Sequence, residues 1–238
     1  MGYRQMGCLA LAPLLVAACA SLSETSGGVA QLQVLSPVDP VLQVGDTTRL
    51  YARTLDQNGD EIAGAVEWRA PDSTVSVDAM GLVTADSVGT GRVQARSESL
   101  ISDFITFTII LRPDTLVLVG DSTFQVPAGQ DTTPPLNARL DSYHLGNTVP
   151  ASGSTIVYRI VDPVFTDPAV RTVELTGQVL VDTVTTGSTG SPTTPVQLWR
   201  VAGQVAPDTA IVEISATRFQ GTEVVPGSGQ RFVVRFDP

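Results

Sequence analysis

Few residues in this chain could do chemistry. His144 is the one histidine among 238 residues, inside Asp141-Ser142-Tyr143-His144-Leu145-Gly146-Asn147. A Ser-His-Asp relay would have to use it, and no Gly-x-Ser-x-Gly turn lifts a serine above a strand. It therefore reads as a surface or packed residue. Zinc needs three or four good ligands, and one histidine with two cysteines near the N-terminus, Cys8 and Cys19, cannot supply them. Asp56, Asn58, Asp60 and Glu61 offer alternating oxygens to a hard cation such as calcium. The twelve-residue calcium loop wants Gly sixth and Glu twelfth. Counted from Asp56, Gly59 is fourth and the twelfth position, Glu67, falls in a strand pattern. A solvated hairpin loop is the plainer reading, with Asp56, Asn58 and Asp60 kept as a weak calcium site. Other carboxylates cannot be told from surface acids, and no phosphate-cradling glycine motif is present. The expectation is a protein with no catalysis and no cofactor.

The elements around these residues read as short strands. Apolar residues make up 42% of the chain, and 21 Gly and 16 Pro supply turns. Val29 to Leu35 and Val41 to Val44 form a first strand broken at Pro37 and Pro40, as suits a sheet edge. Thr47 to Leu55 alternates as one strand, with Leu50, Ala52 and Thr54 on one face. Asn58-Gly59 is a hairpin signal, since both tolerate positive φ. Val66 and Trp68 alternate with Glu67 and Arg69, so Trp68 is expected to anchor a core; an exposed ring stacking on a sugar is the alternative. Val93 and Ala95 point inward, and Phe104 to Leu111 closes the set. Arg112-Pro113-Asp114 reads as a stiff boundary. Beyond it lie nine more candidates: 115–119, 122–126, 136–140, 155–161, 170–175, 178–185, 195–201, 209–217 and 231–236. Gly187 to Thr194 looks like a mobile hairpin tip. No helical stripe competes after residue 18. The reading is all-β, as two tandem immunoglobulin-like β-sandwiches, since one such sandwich takes about 100 residues.

Net charge is −10, and the 14 basic residues are all Arg. An acidic surface repels phosphate backbones, so no nucleic-acid partner is expected. Both cysteines lie in the first 19 residues, so the body of the chain has no disulfide.

Two stretches carry a family likeness. Gly45-Asp46-Thr47-Thr48-Arg49-Leu50-Tyr51-Ala52, the polar turn Asp56-Gln57-Asn58-Gly59-Asp60, Val66-Glu67-Trp68, Gly81-Leu82-Val83 and Gly89-Thr90-Gly91-Arg92-Val93 resemble the bacterial immunoglobulin-like domain of the BIG2 type. That resemblance implies a β-sandwich on a cell-envelope protein. At the N-terminus, Arg4 precedes an apolar run from Cys8 to Ala18, too short to span a bilayer comfortably. Its end, Val16-Ala17-Ala18-Cys19, is similar to the lipobox of bacterial lipoproteins, which implies cleavage before Cys19 and diacylglycerol on its thiol. The alternative is an ordinary secretory signal; either reading exports the chain. Ala20-Ser21 follow the cysteine with no Asp, which implies passage to the outer membrane in two-membrane bacteria.

The expected organisation is a lipoprotein signal peptide at 1–18, a flexible tether at 19–28, a BIG2-like domain at 29–111 and a second sandwich at 114–238. The expected function is structural or adhesive, at the outer membrane or cell surface. The chain would meet the membrane through lipid on Cys19 and would meet an envelope or extracellular protein or glycan. The alternative is a carbohydrate- or polymer-binding module.

Overall fold

A computed structural model describes residues 28–35, 39–165, 167, 170–205 and 207–237. The signal peptide, Cys19 and the tether through residue 27 lie outside the described residues. The fold is all-β, two immunoglobulin-like sandwiches in tandem, with no α-helix among the described residues.

The first sandwich closes around Leu42, Leu50, Val75, Val83, Ala85, Val93, Phe107 and Ile109. One sheet runs Leu100–Ile101, Gly89–Ser97, Ile105–Ile110, Val41–Gln43, with Glu67–Arg69 also paired to Gly89–Ser97. Facing it are Thr47–Arg49 with Leu82–Ala85 and Val75–Val77, and Gln31–Leu35 with Tyr51–Leu55 and Glu61–Ile62. Thr47 to Leu55 is thus not one strand. Leu50 breaks it, because its amide donates to Gly81 O (2.8 Å) while its side chain is buried in the core. Thr47–Arg49 then pairs with Leu82–Ala85, and Tyr51–Leu55 pairs with Gln31–Leu35. Alternation reports which face a residue takes, and is blind to a change of partner strand.

The second sandwich is built around the order Thr123–Val126, Arg231–Phe236, Thr209–Ser215, Thr155–Asp162, Val181–Thr185. A second sheet holds Thr115–Leu118, Ala138–His144 and Asn147–Pro150, and Val173–Leu175 pairs with Leu198–Arg200. Ala210, Val212, Ile214 and Ala216 are all buried, as period-two alternation requires. Tyr158 stacks on Phe232 with centroids 6.5 Å apart, and Phe124 tilts against the same ring at 6.1 Å. The Tyr158 hydroxyl donates to Leu136 O (3.0 Å), which satisfies a buried polar group, and burial pushes its pKa up.

Both sandwiches begin with the same device. The first strand pairs antiparallel in one sheet (Gln31–Leu35 on Tyr51–Leu55; Thr115–Leu118 on Ala138–His144). The chain then crosses and pairs parallel with the last strand of the other sheet. In the first sandwich Pro40 directly precedes the parallel half, and in the second Gly120, at φ 80°, lies between the two halves. A break at that place lets one strand close both edges.

The loop 187–194 is pinned, contrary to its reading as a mobile tip. Gly187 N donates to Ser191 O (2.8 Å), Thr193 N to Thr185 O (2.9 Å), and Leu140 N to Gly190 O (2.9 Å). A Cβ on Gly190 would lie 2.4 Å from Leu140 O. Small residues permit that close approach, so the low-complexity composition reflects packing here.

Candidate binding surfaces and the junction between sandwiches

The residues singled out in the sequence do not converge. The Asp56 carboxylate is occupied by its own loop: Oδ1 accepts the amides of Asn58 (2.8 Å) and Asp60 (3.0 Å), and Oδ2 accepts Asn58 Nδ2 (3.4 Å). The Asp60 amide is the largest cause holding its pKa below the usual carboxylate value. A carboxylate turned onto backbone amides is a turn device. Among the described residues no three of His, Cys, Asp and Glu come together as a metal-holding group. Trp68 is half-buried against the first core, its ring over Gly81, where a Cβ would come within 3.0 Å. Fully buried Phe107 holds the centre that Trp68 flanks.

His144 ends the strand Ala138–His144, and the chain turns back through Leu145 (φ 51°) and Gly146 (φ 80°). Its acidic neighbour is committed elsewhere: Asp141 Oδ2 accepts both Nε (3.1 Å) and Nη2 (2.9 Å) of Arg139. Ser142 is buried. Nothing in this arrangement activates a nucleophile.

The most elaborate polar arrangement lies where the sandwiches meet. The hairpin Thr217–Arg218 with Glu223–Val224 carries a tip in which Phe219, Gln220 and Gly221 all have positive φ (51°, 53°, 84°). This tip reaches the turn of the first sandwich between Val41–Gln43 and Thr47–Arg49. Phe219 N donates to Gln43 Oε1 (3.2 Å), and Gln220 Nε2 donates to Thr47 O (3.3 Å). The Phe219 ring lies over Gly45 and under two guanidiniums, Arg112 at 5.2 Å and Arg218 at 5.7 Å. Cations over an aromatic face are attracted by its quadrupole. Asp114 ties the group together: Oδ1 accepts Arg112 Nε and Arg218 Nη1, each at 3.2 Å, and Oδ2 accepts the Tyr143 amide (2.8 Å). Arg218 also pairs with Glu223. Strained backbone held by specific contacts marks a tip shaped for its seat. Sequence reading missed Phe219 and Gln220, and the one available signal was Gly221, which marks a turn without naming what it touches.

Beside this latch is a cleft of about 530 Å³, lined from both sandwiches by residues that include Asp39, Gln43, Asp46, Ser154 and Gln220. Asp46 is 4% exposed; Oδ2 accepts the Gln43 amide (3.0 Å), and Oδ1 has no hydrogen-bond partner. Burial raises its pKa above 3.8, against smaller lowering by the Gln43 amide and the Arg112 charge. A raised native pKa means the folded state binds the proton more tightly than the unfolded chain. Asp46 therefore favours folding most when protonated, and this contribution is lost as pH rises through its native pKa. Relative to Asp46→Asn, the wild-type chain is expected to gain melting temperature as pH falls through the acidic range in which Asp46 takes up its proton. Parallel melting curves for the two proteins across that range would remove this assignment.

No protein-family model matches the chain. The minor capsid protein L2 of human papillomavirus 57 is 39% identical over an 88-residue alignment that covers 35% of this chain and 17% of that protein. Among solved structures, the adhesin InvE of Yersinia pseudotuberculosis is similar over 87% of this chain and 59% of its own length, with 14% identity and a TM-score of 0.39. Domains 4 and 5 of the surface-layer protein SbsC are similar over 88% of this chain and 99% of theirs, with 17% identity and a TM-score of 0.31. The three N-terminal domains of the outer capsid protein Hoc of bacteriophage RB49 are similar over 87% of this chain and 69% of theirs, with 11% identity and a TM-score of 0.36.

Proposed function

We propose that this chain is a lipid-anchored protein of a bacterial cell envelope with a structural or adhesive role and no catalysis. The leader 1–18 is removed, Cys19 carries the lipid at the outer membrane, and residues 19–28 form the tether. A BIG2-type sandwich at 29–111 and a second sandwich at 114–238 then hold binding surfaces away from the membrane. The observation that carries this reading is the latch: the Phe219-Gln220 tip hydrogen-bonds to the Gln43–Thr47 turn, a direct contact between the sandwiches that suits a support. A jointed chain would need only the short linker, while a support benefits from an interface that fixes direction. The apolar run, the small residues before Cys19 and the polar stretch after it support the anchor. Acyl chains hold a protein to a bilayer at about 0.8 kcal/mol per buried CH₂, so a diacylated cysteine with a further chain anchors stably.

The test is Cys19→Ser expressed in a two-membrane bacterium. The wild-type chain is expected to take up radiolabelled palmitate and stay with the outer membrane, and the variant to lose the label and the membrane fraction together. Protease added to intact cells is expected to remove both sandwiches. An unlabelled wild-type chain in the soluble fraction would overturn the anchor. Survival until the outer membrane is opened would move the role to the periplasm.

A further inference from the structure

We propose that a pocket on the outer face of the second sandwich, walled by Trp199, Glu174 and the turn 176–178, is a subsite for one ring of a neutral polysaccharide. Val173–Leu175 pairs antiparallel with Leu198–Arg200, and Glu174 stands opposite Trp199. Val173, Leu175 and Leu198 are fully buried, so the same register puts Glu174 and Trp199 on the other face of the pair, with Glu174 still largely covered. Trp199 is 38% exposed. A large exposed aromatic beside a cavity is the informative case, unlike one exposed leucine.

The chain leaves Leu175 in a tight turn. Leu175 N donates to Val179 O (2.8 Å), Gln178 N donates to Leu175 O (3.0 Å), and Gly177 and Gln178 take φ of 80° and 63°. A glutamine held at positive φ is strained, and the turn that holds it lines the pocket. The pocket encloses about 240 Å³ between Glu174, Leu175, Thr176, Gly177, Gln178 and Trp199. That is below the roughly 300–1,000 Å³ of sites for drug-sized ligands, and suits one ring.

The chemistry fits a pyranose. The C–H face of the ring stacks on indole, and ring hydroxyls need both a donor and an acceptor in fixed positions. Glu174 Oε2 accepts Arg171 Nε (2.8 Å), which fixes the carboxylate in the pocket wall. The Gln178 amide offers donor and acceptor. Thr176 Oγ1 is engaged by the Gln197 amide (2.9 Å) and shapes the wall. A carboxylate in the pocket and a net charge of −10 on the chain disfavour acidic sugars.

The pocket is also well placed. Next to Trp199, Arg200 Nη2 donates to Asp237 O (2.7 Å) and Val126 O (3.4 Å), at the ends of Arg231–Phe236 and Thr123–Val126. The opposite end of Arg231–Phe236 pairs with Glu213 and leads to the junction. Trp199 thus lies at the end of the second sandwich remote from the first. The inference names a partner for the adhesive role and rests on that reading for its biological setting, while its binding chemistry stands without the anchor.

The chain has two tryptophans, Trp68 and Trp199, so two indole N–H signals report on the two sandwiches in ¹⁵N-labelled full chain. The titrants are soluble oligosaccharides of glucose, mannose, galactose and N-acetylglucosamine, with polygalacturonate as the acidic comparison. The expected result is a saturable shift of the Trp199 signal with at least one neutral sugar and a still Trp68 signal. Trp199→Ala is expected to weaken binding about tenfold or more. Gln178→Asn, which withdraws the amide by one methylene and tolerates positive φ, is expected to weaken it several-fold at unchanged melting temperature. No saturable shift with any neutral sugar, stronger binding of polygalacturonate, or unchanged binding by both variants would overturn the proposal. A chain that binds sugar but lacks lipid would overturn the anchor alone, and a lipidated chain that binds none would overturn the subsite alone.

Discussion

Replacing Phe107 by alanine is expected to unfold the first sandwich and leave the second folded. Phe107 is fully buried at the centre of a small core whose other members are Leu42, Leu50, Val75, Val83, Ala85, Val93 and Ile109. Truncating a buried aromatic removes its transfer free energy and leaves a cavity, together about 3–5 kcal/mol. Domains of this size have net stabilities of about 5–15 kcal/mol, and a core this small places the first sandwich low in that range. Ile105–Ile110, which carries Phe107, also joins Gly89–Ser97 to Val41–Gln43, so losing its anchor loosens both edges. Because each sandwich contains one tryptophan, fluorescence of single-tryptophan variants separates the transitions. Trp68 emission is expected to melt early while Trp199 emission keeps its wild-type midpoint. Coincident early melting of both would mean that the latch couples the sandwiches more strongly than its few hydrogen bonds suggest. Trp68, partly buried against the same core, is expected to be the weaker target because its site is open to solvent.

This difference between Trp68 and Phe107 shows where the sequence was legible. Alternation placed Val93 and Ala95 on an inward face, where both are buried, because facing is a local property of a strand. It could not rank Phe107 above Trp68, since rank depends on which residues lie across the sheet gap. Partner choice was equally hidden. Thr47 to Leu55 alternates cleanly and still divides at Leu50 between two sheets, and the continuation of Ala138–His144 into a hairpin with Asn147–Pro150 carried no Asn-Gly signal. The latch was the least legible element. Phe219 and Gln220 are ordinary residues whose importance comes from contacts with Gln43 and Thr47, more than 170 positions away in sequence. Trp199 was placed in a strand, but only the register opposite Glu174 puts it outside.

The second large effect is expected from one methyl group at Gly227. Its φ is 92°, a region that L-residues rarely occupy, and a Cβ built there would lie 2.0 Å from the backbone oxygen of Leu116. Backbone cannot step aside cheaply. Leu116 N donates to Pro226 O (2.8 Å), and Gln230 Nε2 bridges Leu116 O (2.9 Å) and Gly227 O (2.8 Å). Gly227→Ala must break this knot, and Leu116 itself is a fully buried member of the second core. Positive-φ strain alone costs about 1–3 kcal/mol, and displacing the first strand of the sandwich adds to it. The expected result is the mirror image of the Phe107 variant: Trp199 emission melts early, and Trp68 emission holds. The strand that moves, Thr115–Leu118, begins one residue after Asp114, the carboxylate that binds the Arg112 and Arg218 guanidiniums stacked on Phe219. Below its melting point the variant is therefore expected to show a looser junction, seen as a larger radius of gyration in small-angle scattering. A Gly227→Ala protein with wild-type melting and wild-type scattering would mean that the Leu116–Pro226 contact gives way at no cost, and that the latch does not depend on the strand beneath it.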